Sequence, residues 1–223
     1  GTIGISNISN VMGGAAADTL IGDTNANELT GGAGDDHITG GGGNDLLDGG
    51  EGSDTFYFSD SWGEDSIDDL GSTGTDTLDF SAVSEDLIFT IDSNATISAT
   101  DGTTNNKLEK TGGIEAVKGG TGDNRFVFED GGSIDGTIDG STGGANTLDY
   151  SAYTSAITVD LSLGTATGTL GVSNLVDVTG GSGDDWITGD DNDNVLDGGA
   201  GNDLLAGGLG ADTLIGGEGN DIL

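Results

Sequence analysis

A nine-residue period constrains this chain more than any other feature. Gly31-Gly32-Ala33-Gly34-Asp35-Asp36-His37-Ile38-Thr39 is followed without a gap by residues 40–48 and 49–57, and all three read G-G-x-G-x-D-x-U-x, with U apolar. Two weaker copies precede them, 13–21 with Asp18 in position six and 22–30 with Asn27 there. A second block repeats the pattern at 180–188, 189–197 with Asn194 in position six, 198–206, 207–215 and 216–223. Self-similarity at so short a period predicts a solenoid, in which each unit buries its apolar residue only against its neighbours.

Each unit reads as a six-residue turn followed by a three-residue strand, so two units complete one coil and every second unit stacks on the same edge. Glycine at positions one, two and four permits positive φ and close backbone approach, which aims carbonyl oxygens inward. The apolar residue of position eight is predicted to enter a thin core: Leu20, Leu29, Ile38, Leu47 and Phe56, then Ile187, Leu196, Leu205, Leu214 and Leu223. Position seven faces outward, which places His37, the sole His, on the surface without a catalytic or metal role.

The nonapeptide blocks resemble the repeats-in-toxin (RTX) family of secreted bacterial proteins. The resemblance is strict over roughly the first quarter and last fifth of the chain, and degenerate turns at 60–68 and 71–79 extend it. It implies an all-β fold, a right-handed parallel β-roll or β-solenoid with calcium-binding turns. It also implies type I secretion and an extracellular or cell-surface location.

Stacked units would bring position-six side chains together in pairs, each pair holding one ion with help from backbone carbonyls. One edge of the first block carries Asp18, Asp36 and Asp54, the other Asn27 and Asp45; the second block carries Asp185, Asp203 and Asp221 on one edge and Asn194 and Asp212 on the other. Asp65 and Asp76 extend the first block through its degenerate turns. Backbone ligands are expected from positions one and three: Gly31 and Ala33, Gly40 and Gly42, Gly49 and Glu51, Gly180 and Ser182, Gly198 and Ala200, Gly207 and Leu209, Gly216 and Glu218. With no Cys in the chain, thiolate sites and disulfides are absent and the donors are oxygen, which suits a hard cation. Calcium takes six to eight oxygens at flexible geometry. Several ions are expected, about 6–8 by counting stacked pairs.

Composition excludes other roles. With 40 Asp plus Glu against 4 Lys plus Arg, the charge of −36 repels nucleic acid and anionic membrane surfaces, and no apolar run is long enough to insert in a bilayer. Calcium is the expected partner, with self-association or contact with neighbouring repeats beside it. Such acidity with only 5% aromatic residues would normally mean disorder, but the fixed period argues for folding once the ion is bound. Glu64, Asp65, Asp68 and Asp69 are expected as calcium ligands or solvated edge residues rather than a catalytic pair. Trp62 and Trp186 are expected to pack or sit on the surface rather than stack on sugar. The four basic residues, Lys107, Lys110, Lys118 and Arg125, all fall in the middle and are expected to pair with local acids or to meet a neighbouring acidic face.

A longer period overlies the short one. An offset of 167 residues carries Gly1-Thr2-Ile3-Gly4 onto Gly168-Thr169-Leu170-Gly171 and continues ungapped to Phe56 and Leu223. The organisation expected is an N-terminal roll at 1–79, β-solenoid modules at 80–139 and 140–179, and a C-terminal roll at 180–223 that begins the next long repeat. Alternating apolar residues at 87–97 and 157–163 predict strands, and no helix is predicted. In the middle the position-six residue of turn 119–127 is Asn124, which leaves its calcium occupancy open. The function expected is a non-enzymatic calcium-binding segment of a large surface adhesin, filament or surface-layer protein, with the calcium-binding tail of an extracellular hydrolase or epimerase as the alternative.

Overall fold

The computed structural model describes residues 2–4, 8–69, 73–103 and 106–223. Gly1 and residues 5–7 of the long-period match, and Gly71 and Ser72 of the second degenerate turn, lie outside them. The described residues form 24 strands and no helix. Among the described residues no helix is long and apolar enough to cross a membrane.

Successive units send their strands alternately to two sheets. Thr19–Ile21, His37–Thr39, Thr55–Ser59 and Thr77–Ala82 lie in an eight-stranded sheet, while Glu28–Ala33, Leu46–Glu51 and Glu64–Ile67 lie in a twelve-stranded one. Pairing along these runs is parallel, and position eight stacks on position eight two units away: Leu20 on Ile38, Ile38 on Phe56, and Leu29 on Leu47. The second block repeats the register, Ile187 on Leu205 and Leu196 on Leu214. A three-residue strand has one inward position, and it falls on residue eight because side chains alternate faces. The apolar residues there are therefore buried from Leu20 to Phe56 and from Ile187 to Leu205. Leu214 is only partly buried and Leu223 is 63% exposed, contrary to the repeat pattern. The coils they occupy have a stacked neighbour on one side only.

Through the middle the strands lengthen and the core becomes aromatic. Thr55–Ser59 and Thr77–Ala82 each carry a second inward residue, Phe58 and Phe80, whose rings stack at 4.2 Å. Phe89 and Phe126 are direct cross-strand partners and stack at 4.8 Å, and Phe128 stacks on Tyr150 at 4.7 Å. Trp62, 1% exposed, closes edge-on against Phe58 and Phe80, so it is a packing residue; Trp186 stands on the surface.

The predicted strands at 87–97 and 157–163 are present but not parallel throughout. Ile97–Thr100 pairs antiparallel with both Leu87–Ile91 and Lys107–Thr111, and Thr165–Ala166 pairs antiparallel with Thr158–Asp160. Both insertions are absorbed without breaking the stack, because Leu87–Ile91 and Thr158–Asp160 return to parallel pairing with Asn124–Phe128 and Trp186–Thr188. The division between residues 79 and 80 falls inside Thr77–Ala82, and the twelve-stranded sheet runs past all three expected divisions. Of the basic residues, Arg125 pairs with buried Asp149 at 2.5 Å, Lys107 with Glu109 at 2.7 Å and Lys118 with Asp79 at 3.9 Å.

Candidate metal centre

The turn at 31–36 shows how the sequence builds the site. Gly32 and Gly34 take φ of 115° and 110°, where L side chains are strained, and a Cβ on Gly32 would also overlap the carbonyl oxygen of Gly14 in the coil below. Positions two and four are left-handed in the same way at 40–45, 49–54, 198–203, 207–212 and 216–221. The position-six side chain points back beneath position one. A Cβ on Gly31 would collide with Asp36 Oδ2 and stand 2.6 Å from the carbonyl oxygen of Gly49. The glycine therefore leaves an open cradle between a carboxylate oxygen and a carbonyl oxygen of the next coil. Gly198 does the same with Asp203 Oδ2 and Gly216 O.

The position-six carboxylates form ladders. Oδ1 of Asp36, Asp54 and Asp76 accepts the backbone N–H of Asp18, Asp36 and Asp54, each at 2.7 Å. On the opposite edge Asp45 Oδ1 accepts Asn27 N–H and Asp65 Oδ1 accepts Asp45 N–H. In the second block Asp203, Asp221 and Asp212 accept the N–H groups of Asp185, Asp203 and Asn194. Only one oxygen of each carboxylate is engaged by these bonds. Oδ2 of Asp36, Asp45, Asp54, Asp69 and Asp203 is buried with no hydrogen-bond partner. A buried anionic oxygen without a donor is costly, and a cation is the partner that removes the cost.

Burial pushes the carboxyls of Asp36, Asp45, Asp54 and Asp185 above the usual range, and pushes Asp65 up to about 8 and Asp69 to about 7. Backbone N–H donors oppose the shift, and neighbouring carboxylates reinforce it. The donor set is therefore carboxylate and carbonyl oxygen in a partly desolvated, anionic environment, which fits calcium and offers nothing to a thiophilic metal.

Other turns close on themselves. Asp18 Oδ2 and Asp185 Oδ2 accept the position-two N–H groups of Gly14 and Gly181, and Asn27, Asn194 and Asn124 accept those of Asp23, Asp190 and Gly120 through Oδ1. None of these five turns has a positive φ. In the middle, amide donors fill the turns: Asn124 Nδ2 donates to the carbonyls of Gly120, Gly122 and Gly140 and to Asn146 Oδ1, and Asn146 Nδ2 donates to Ser141, Gly143 and Asn174. The carbonyls that would face a cation face N–H donors instead.

The other sequence-derived positions lie around these ladders. Gly31, Gly40, Gly49, Gly180, Gly198 and Gly207 are buried against the position-six side chains, and Gly216 is half-buried. Position three is more exposed, and its N–H groups hold the coils together, Ala33, Gly42, Ser182, Ala200, Leu209 and Glu218 each donating to the coil before. The carbonyls of Glu51 and Glu218 accept Gly34 and Gly201 N–H, so one lone pair of each is already used. Asp65 and Asp69 are buried while Glu64 and Asp68 are exposed, which divides the acidic pairs of 64–69 into inward and solvated members. Two residues outside the nine-residue register join the first edge. Glu115 Oε2 accepts Asp76 N–H at 2.8 Å, and Asp69 Oδ1 accepts Gly50 N–H at 3.0 Å. Their only signal in the sequence is acidity beside a degenerate turn.

Glycine turns, parallel coils and facing carboxylates define a cation-binding parallel β-roll. The repeats themselves are RTX calcium-binding nonapeptide repeats: the model of that family matches residues 21–56, 177–205 and 200–223, in four copies. The chain thus contains calcium-binding repeats of a kind typical of proteins that bacteria secrete. No curated protein matches it.

Proposed function

We propose that this chain is a calcium-folded structural segment of a large secreted or cell-surface bacterial protein of adhesin, filament or surface-layer type, with a mechanical rather than catalytic role. The observation that carries the reading is the ladder of position-six carboxylates, in which buried Asp36, Asp45, Asp54 and Asp203 each leave one oxygen lacking a donor, on a continuous stack. Calcium would be held between successive coils by carboxylates such as Asp36, Asp54 and Asp203, and would convert a self-repelling acidic chain into a rod. The twelve stacked strands of the longer sheet correspond to about 50 Å of axial length at the usual strand spacing. The 167-residue period supports an array in which such rods follow one another. Export by a type I route accords with folding only where calcium is plentiful.

The test is circular dichroism with small-angle scattering, in chelator and in millimolar calcium. Calcium should raise β content and convert an expanded chain into a stiff particle, and magnesium should substitute poorly because it demands tighter octahedral geometry. A full β spectrum in chelator, with no change on adding calcium, would overturn the proposal.

A further inference from the structure

The nine-residue rule accounts for two carboxylates per stacked pair, but at the junction between the first roll and the middle of the chain three come together. One carboxylate oxygen each of Asp54, Asp69 and Asp76 lies within 4.8 Å of the others, and all three side chains are buried. Asp54 and Asp76 are successive position-six residues on one edge. Asp69 is not in the repeat register at all. It reaches the cluster because the strand Glu64–Ile67 ends just before it, and Gly50 N–H fixes its Oδ1 at 3.0 Å. Asp69 Oδ2 is buried without a partner, as is Asp54 Oδ2. Two anchored carboxylates thus each hold an unpaired oxygen inside a buried pocket of three carboxyl groups.

We propose that Asp54, Asp69 and Asp76 form the tightest calcium site of the chain, with Asp69 as a ligand supplied from outside the nonapeptide pattern. The inference rests on the calcium reading above. Its physical basis is ligand charge: a site that presents three carboxylates to a divalent cation gains more on binding than one that presents two, and ligand charge count is a principal means by which proteins grade calcium affinity. The position of the site adds a consequence. Asp76 N–H is also bonded to Glu115, so an ion here ties the roll to the strand Ala116–Lys118 beyond it.

The experiment is a calorimetric calcium titration of the whole chain, unmutated, as Asp69→Asn and as Asp203→Asn. Asn at 69 keeps an oxygen for Gly50 N–H while removing the charge. The tightest binding step should weaken by about tenfold or more in Asp69→Asn and remain in Asp203→Asn. A second measurement needs no substitution: with calcium added to one equivalent, the amide resonances of Gly50, Asp54 and Asp69 should respond before those of Asp36 and Asp203. If the unmutated chain takes up no calcium, the calcium reading itself fails. If it takes up calcium and Asp69→Asn binds its tightest ion unchanged, or the amides of Asp36 and Asp203 respond first, the three-carboxylate site is overturned and the repeat sites stand.

Discussion

The backbone N–H of Asp36 donates to Oδ1 of Asp54 at 2.7 Å, while Oδ2 of both carboxylates is buried with no partner. This one relationship joins fold and function: half of each carboxylate holds the next coil in register, and the other half is left for a cation. Asp36 serves two coils, since it also accepts the N–H of Asp18. Asn27 differs, because its amide oxygen already accepts Asp23 N–H and its Nδ2 donates to Ile8 O. Asp36→Ala should therefore remove more bound calcium than Asn27→Ala, measured as ions bound per chain at fixed free calcium. Equal losses would show that the self-closed turns bind calcium as the open ones do.

Two glycines at the same motif position should respond unequally to substitution. Gly32 has φ of 115° and abuts Gly14 O, whereas a Cβ on Gly14 would meet only Asp18 Oδ2 at 3.6 Å. Gly32→Ala is expected to destabilise the calcium-loaded roll by at least about 1–3 kcal/mol, and Gly14→Ala by well under that. Denaturant melts in saturating calcium measure the difference, and similar costs would contradict the two turn geometries.

In the absence of metal, stability should depend on pH in the opposite direction to most acidic proteins. Burial raises the folded-state pKa of Asp65 to about 8 and of Asp69 to about 7, above the unfolded value of about 3.9. Over the interval between, the folded state binds more protons than the unfolded one, so stability falls as pH rises. With chelator present, β structure should be greatest near pH 4 and lost progressively towards pH 8. A chelated chain whose β signal grows as pH increases would refute this.

The middle of the roll should hold without calcium. Asn124 Nδ2 makes four hydrogen bonds, two to Gly120 and Gly122 of its own turn and two to Gly140 and Asn146 of the next coil, in the place where other turns present an unpaired carboxylate oxygen. Asn124→Asp would remove those donors and set a carboxylate against carbonyl oxygens, costing about 2–4 kcal/mol in chelator. Hydrogen exchange of the amides in Asn124–Phe128 and Thr147–Asp149 should be slow in the unmutated chain with chelator and fast in the variant. Slow exchange in both would mean that the amide ladder contributes little.

Much of the architecture was legible in the sequence. The nine-residue period determined two units per coil, the stacking of Leu20 on Ile38 and Leu29 on Leu47, the outward place of His37 and the inward place of position six. These follow from local chemistry, because a strand alternates its faces and glycine is needed where φ is positive. Only the tertiary structure decided which turns are open and which close on themselves. Gly14 and Gly32 occupy the same place in the same motif, and glycine tolerates either conformation, so the choice falls to the coils stacked on each side. Nor could a period reveal what lies outside it. Asp69 enters the three-carboxylate pocket because the chain after Ile67 carries it back against Gly50, and Trp62 is buried because Phe58 and Phe80 meet over it. The antiparallel insertions at Ile97–Thr100 and Thr165–Ala166 likewise leave no repeat signature. Repetition records what neighbouring units share, whereas a contact made once between segments far apart in sequence is set only when the coils have stacked.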